Sequence, residues 1–94
     1  MEIRLSLRFE AWLDALKDRH AAKRIVRRLA NAQLGNLGDV KYFGRIGEMR
    51  IDYGPGYRLY FVRRGSHLLV LLCGGDKSTQ QRDIEVATAM AKDY

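Results

Sequence analysis

The densest chemistry in the sequence lies in residues 48–60, Glu48-Met49-Arg50-Ile51-Asp52-Tyr53-Gly54-Pro55-Gly56-Tyr57-Arg58-Leu59-Tyr60. Strand alternation on either side of the Gly-Pro-Gly break sends Met49, Ile51, Leu59 and Phe61 toward a core. It gathers Glu48, Arg50, Asp52, Arg58 and Tyr60 on the opposite face. Guanidinium groups grip phosphate through paired hydrogen bonds, and a phenol ring beside them offers a stacking surface for an unpaired base. The set suits single-stranded RNA. It equally suits a solvated face in which Arg50 and Arg58 pair with Glu48 and Asp52 across strands.

A second cluster, Gly74-Gly75-Asp76-Lys77-Ser78-Thr79, falls between an expected strand and an expected helix, where free backbone donors attract phosphate. A nucleotide-binding P-loop needs Gly directly before the Lys and another five residues earlier, but Asp76 and Leu71 stand there. Lys77 can instead reach round to the Arg50/Arg58 face and add a positive charge. Lys23, Arg24, Arg27 and Arg28 crowd two turns of a helix, where a phosphate backbone, an acidic protein or solvent must offset their repulsion. His20 and His67 are far apart with no further ligands nearby, so no metal site is expected. No spacing of Ser, His and an acid suggests a nucleophilic triad.

The frame for these residues is one small domain spanning residues 1–94. Hydrophobic residues at 47% and charged ones at 30% are enough for one modest core and argue against wholesale disorder. Seventeen Lys and Arg against eleven Asp and Glu leave a net charge of +6, which favours polyanionic partners. The lone Cys73 lies in an apolar run and is expected to be a buried core thiol. No run approaches the roughly 18 apolar residues of a membrane span, and Met1 to Glu10 alternates charge with apolar residues instead of forming a signal-peptide core. A cytoplasmic protein with no membrane partner is expected.

Ile3, Leu5, Leu7 and Phe9 alternate with polar residues and predict an opening strand. Phe9, Trp12, Leu13 and Leu16 then make one helical stripe, placing a short helix at about 9–18. Asp18 is the expected N-cap of a second helix, with Ala22, Ile25, Val26, Leu29 and Ala32 on one face and Gly35 as its stop. Residues 35–47 are rich in glycine, lack periodicity and read as a loop carrying Lys41 and Arg45. Three strands follow as a meander turning at Gly54-Pro55-Gly56 and Arg64-Gly65-Ser66. Its last member, His67 to Cys73, is apolar enough to be covered on both faces. Ser78-Thr79-Gln80-Gln81 fits a capping box before a final helix bearing Ile84, Ala87 and Ala91. The order β-α-α-β-β-β-α implies an α+β fold, most simply one helical layer on one sheet.

Three segments taken together carry a family resemblance. They are Gly38-Asp39-Val40-Lys41, the run Glu48 to Arg58, and Leu72-Cys73-Gly74-Gly75-Asp76-Lys77-Ser78-Thr79-Gln80. Over nearly its whole length the chain resembles the RelE/ParE toxins of bacterial type II toxin–antitoxin modules, in particular the HigB-like, phage-derived addiction module killer protein branch. The resemblance implies a RelE-like antiparallel sheet with two N-terminal helices and one C-terminal helix. It also implies a toxin, with a helix-turn-helix antitoxin as partner. RelE-type members cut mRNA in the ribosomal A site as metal-independent endoribonucleases without an external cofactor, whereas ParE relatives inhibit DNA gyrase without catalysis. Apart from the resemblance, the order of elements also suits a small double-stranded-RNA-binding module.

By that resemblance, Arg58 matches the arginine that holds the scissile phosphate, and Lys77 matches a second arginine near the end of the last strand. Arg50 and Lys41 are looser counterparts of basic residues around the leaving group and 2′-hydroxyl, because Met49 and Ile51 occupy the directly aligned positions. Asp83 stands where the family has a tyrosine on its C-terminal helix and is the expected proton acceptor. Tyr60 would stack on a base, while Lys41, Arg45 and the helical Lys23, Arg24, Arg27 and Arg28 would hold mRNA and ribosomal RNA.

Overall fold

In the computed structural model, which describes residues 1–94, the opening alternation ends early and gives strand β1 (Glu2–Leu5). Ser6 stops it by capping helix α1 (Leu7–Asp14). Its hydroxyl accepts from the Phe9 amide at 3.0 Å and donates to the Leu72 carbonyl at 2.7 Å. That cap starts the helix before Phe9 and leaves Leu7 85% exposed, off the strand's buried face. Asp18 caps α2 (Arg19–Gln33) as expected, accepting from the His20 and Ala21 amides. The buried stripe of α2 is Ala21, Ala22, Ile25, Leu29 and Ala32. Val26 lies beside that stripe and is exposed.

Residues 35–47 contain a strand that the sequence reading missed. β2 (Val40–Phe43) pairs antiparallel with β3 (Ile46–Ile51) across a tight turn in which Gly44 adopts φ +61°. Four residues flanked by glycine are too few for alternation to stand out. The meander then completes β4 (Tyr57–Arg64) and β5 (Leu68–Asp76). The sheet order is β1-β5-β4-β3-β2, and β1 joins β5 in parallel, so the sheet is mixed and the expectation of a wholly antiparallel one is corrected. Asp76, rather than Ser78, caps the final helical segment. It opens a 3₁₀ turn (Lys77–Thr79), closed reciprocally by Thr79, that leads into α3 (Gln80–Ala91).

The α+β fold has helices on both faces of the sheet, not on one. Phe9, Ala21, Ile25 and Leu29 from α1 and α2 meet Met49, Ile51, Leu59, Phe61, Leu69 and Leu71. On the other face, Ala87 and Ala91 of α3 meet Ile46, Tyr60, Val62, Val70, Leu72 and Cys73. This double cover explains why β5 is apolar without alternation. A bulge adds to it: Tyr60 pairs with Cys73 and Phe61 with Leu71, so the extra Leu72 turns to the α3 face together with Cys73. Helix α3 lies chiefly over β5 and β4 and less over β3. No helix is long and apolar enough to cross a membrane.

Candidate functional site

Antiparallel register fixes which side chains meet at the margin of α3. Arg50 of β3 lies opposite Arg58 of β4, and Arg58 lies opposite Gly75 of β5. One row along, Lys41, Glu48, Tyr60 and Cys73 stand in line across β2 to β5 on the same face. Arg58 is half-buried, forms no ion pair, and its Nε is buried without an acceptor. Arg50 pairs with neither Glu48 nor Asp52. Its Nη2 donates to Asp39 Oδ1 at 2.8 Å, while its Nε is likewise buried without an acceptor. That hydrogen bond holds the Asp39 carboxyl below the usual carboxylate range, aided by the charges of Arg50, Arg28 and Arg58, and it raises the Arg50 guanidinium in turn.

Beside these cations lies a buried polar network centred on Glu48. Glu48 is fully buried, and its Oε2 accepts from the Tyr60 hydroxyl and from Gln80 Nε2, each at 2.9 Å. Its Oε1 has no partner. Tyr60 is fully buried too, and burial, reinforced by Glu48, pushes its hydroxyl far above the ordinary phenol range. The expectation that Tyr60 stacks on a base is therefore corrected, since α3 covers this part of the face and turns the phenol into a core donor. Asp83 is also buried, accepting from the Thr79 hydroxyl, and it lies so close over Gly75 that a Cβ there would overlap its carboxylate. Cys73, as expected, is a buried thiol. Burial pushes it up to about 12, and its Sγ donates to the Asp83 carbonyl at 3.6 Å.

The glycines that suggested a phosphate loop serve packing. Gly74 leaves room for the Trp12 ring on one face, and Gly75 leaves room for Asp83 on the other. Lys77 is exposed just past β5, with its amide directed at the Pro55 carbonyl and its Cβ facing Gly56, so it shares the Arg58 end of the sheet. Lys41 is exposed with its Nζ 5.1 Å from the centre of the Phe43 ring. Arg45 sits in the β2–β3 turn, about 17 Å along β3 from Arg50 at 3.4 Å per residue, and does not join the group.

The α2 cations lie with the helices of the opposite face. His20, Lys23, Arg24, Arg27, Asp52 and Tyr53 help line a groove of ≈ 740 Å³, where Arg24 stacks 4.4 Å from the centre of the Tyr53 ring. Asp52 thus belongs to this groove and not to the Arg50 face. Arg28 is not a free RNA-facing cation as expected, because its guanidinium is spent on backbone carbonyls. Asp39 and Gln80 were missed in the sequence: neither falls in a periodic pattern, and both act through contacts across 11 and 32 residues. No three His, Cys, Asp or Glu side chains converge as metal ligands.

No family model matches the chain. Over 94 residues it is 44% identical to an uncharacterized protein of Haemophilus influenzae, an alignment covering 99% of this chain and 95% of that protein.

Proposed function

This chain belongs to one family with the Haemophilus influenzae protein, and we propose that it is the toxin of a bacterial type II toxin–antitoxin module, a RelE-like endoribonuclease that cuts mRNA on the ribosome. The observation that carries this reading is Arg58: a half-buried guanidinium with no ion pair and an Nε without an acceptor, set opposite Arg50 and at the Lys77 end of the sheet. A buried donor left unsatisfied costs about 1–3 kcal/mol. A surface that keeps one is suited to an anion that arrives from outside, and a phosphodiester matches the fork of an arginine.

In the proposed reaction a 2′-hydroxyl attacks its own phosphorus and the 5′-oxygen of the next nucleotide leaves, giving a cyclic phosphate and a 5′-hydroxyl. Arg58 stabilises charge on the phosphorane, with Arg50 and Lys77 assisting at the phosphate and leaving group. Lys41 extends the positive surface along the RNA. Asp83 is the carboxylate over the neighbouring strand, and its Thr79 bond must open if it is to take the 2′-hydroxyl proton. Lys23, Arg24 and Arg27 in the α2 groove, with Arg45, face ribosomal RNA, and the ribosome supplies the orientation that so small an enzyme lacks. The protein acts in the cytoplasm under the control of a helix-turn-helix antitoxin and uses no external cofactor.

The test is primer extension on a reporter mRNA in a translating extract, with the purified protein, without it, and after removal of ribosomes. New 5′ ends at codon-spaced positions, lost without ribosomes and lost with Arg58→Ala, are the expected result. Intact mRNA with folded protein overturns the nuclease reading, and DNA damage preceding the arrest of translation would identify a ParE-like gyrase inhibitor instead.

A further inference from the structure

Arg28 is the member of the basic α2 cluster that turns inward. Its Nε donates to the Leu37 carbonyl at 2.9 Å, Nη1 to the Arg50 carbonyl at 2.7 Å and Nη2 to the Asp39 carbonyl at 2.7 Å. Gly38, at φ +72°, makes this possible, because a Cβ there would come within 2.5 Å of Arg28 Nε. One planar group therefore ties the backbone of the 36–39 loop to the end of β3. The two residues it joins by their carbonyls, Asp39 and Arg50, are the same two whose side chains form the 2.8 Å ion pair on the other face. The Arg50 amide also donates to the Asp39 carbonyl at 2.9 Å, so the connection is doubled.

We infer that Arg28 is a positioning residue for Arg50: by bridging the Asp39 and Arg50 carbonyls it sets where the Asp39 carboxylate stands, and so the orientation in which Arg50 is held opposite Arg58. The functional part of this inference rests on the reading that Arg50 and Arg58 meet a phosphate. A lysine at position 28 keeps the charge but loses the rigid fork that serves three carbonyls at once. A cation that meets RNA only through its charge tolerates that exchange, whereas a fork that serves three carbonyls does not.

The experiment measures single-turnover mRNA cleavage on ribosomes for the wild type, Arg28→Lys, Arg50→Lys and the double variant. Arg28→Lys is expected to lower the cleavage rate at saturating ribosomes by about tenfold or more, as misplaced catalytic groups do, with the half-saturating concentration little changed. The double variant should be no slower than Arg50→Lys alone. Asp39→Asn leaves every Arg28 bond in place and should reproduce the loss through the Arg50 ion pair alone, while Gly38→Ala, whose methyl would come within 2.5 Å of Arg28 Nε, displaces the fork without changing its charge and should lower cleavage likewise, which keeps the inference testable if Arg28→Lys folds poorly. Wild-type cleavage by Arg28→Lys, or losses that multiply in the double variant, overturns the inference. Carbon-13 titration of the Asp39 carboxyl provides a readout independent of nuclease activity. In Arg28→Lys the Asp39 titration should move up toward that of an ordinary carboxylate, and an unchanged titration refutes the linkage. A shifted titration in a protein that never cleaves mRNA upholds the linkage and rejects the nuclease reading.

Discussion

Replacing Arg58 by methionine should move stability and activity in opposite directions. Methionine retains an unbranched stem to pack against the sheet and removes only the guanidinium, which forms no ion pair and buries an Nε without an acceptor. Relief of a buried unsatisfied donor is worth about 1–3 kcal/mol, and the half-exposure of Arg58 points to the lower end of that range. Removing a like charge directly opposite Arg50 adds a few tenths, within the roughly 0.2–1 kcal/mol of a cross-strand pair. For a domain of this size 1 kcal/mol corresponds to about 4–8 °C, so the melting temperature should stay level or rise by up to that amount. Cleavage should fall by about 10²–10³, the typical cost of deleting one donor to transition-state charge. Thermal denaturation and primer extension on the same preparation decide the matter. A fall in melting temperature of more than about 4 °C would mean that Arg58 is a structural residue, and cleavage within tenfold of wild type would remove it from the site.

Gly75→Ala places a methyl group into the Asp83 carboxylate and within 2.7 Å of the Thr79 hydroxyl oxygen, so it should destabilise by about 1–3 kcal/mol in urea denaturation through displacement of the first turn of α3. An unchanged midpoint would show that α3 is not seated on that glycine. Tyr60→Phe removes one of the two donors to the buried Glu48 Oε2 and should cost about 1–3 kcal/mol, with Gln80 as the remaining donor. A variant as stable as the wild type would argue that the Tyr60–Glu48 bond does not hold this network together. Cys73, buried and pushed up to about 12, should resist iodoacetamide at pH 8 in the native protein and react fully in guanidinium, as read by mass spectrometry. Rapid native alkylation would place Cys73 outside the core.

Helices, turns and the first core were legible because their signals are local. The Asp18 cap, the Gly54-Pro55-Gly56 break and the alternation of Met49, Ile51, Leu59 and Phe61 each act within a few residues, and all are found in place. The parallel pairing of β1 with β5 joins residues more than sixty positions apart, and nothing in a four-residue strand specifies its partner. Strand β2 was hidden by its length and its glycine neighbours. The site was legible in part. Alternation grouped Glu48, Arg50, Arg58 and Tyr60 on one face, but it carries no information on whether a later helix covers that face. That information lay in Ala87 and Ala91, whose small side chains let α3 approach the sheet closely, and in Gly75, whose missing Cβ admits Asp83.

The margin of α3 accounts for the different fates of Arg58 and Tyr60, two residues apart on one strand and one face. Tyr60 pairs with Cys73 and lies beneath α3, where its hydroxyl donates to Glu48, which Gln80 also holds. Arg58 pairs with Gly75 where the first turn of α3 sits, and it remains half-exposed. Two arginines directly opposite one another repel. Here Asp39 hydrogen-bonds Arg50 and reaches Arg58 only through its charge, while Glu48 Oε2 bonds Tyr60 and Gln80 and Asp83 bonds Thr79. Arg58 is thereby left without an ion pair of its own, at the edge of a buried, low-dielectric layer where an incoming anion is attracted more strongly than at an open surface. This asymmetry would vanish if Arg58 had an acidic partner of its own.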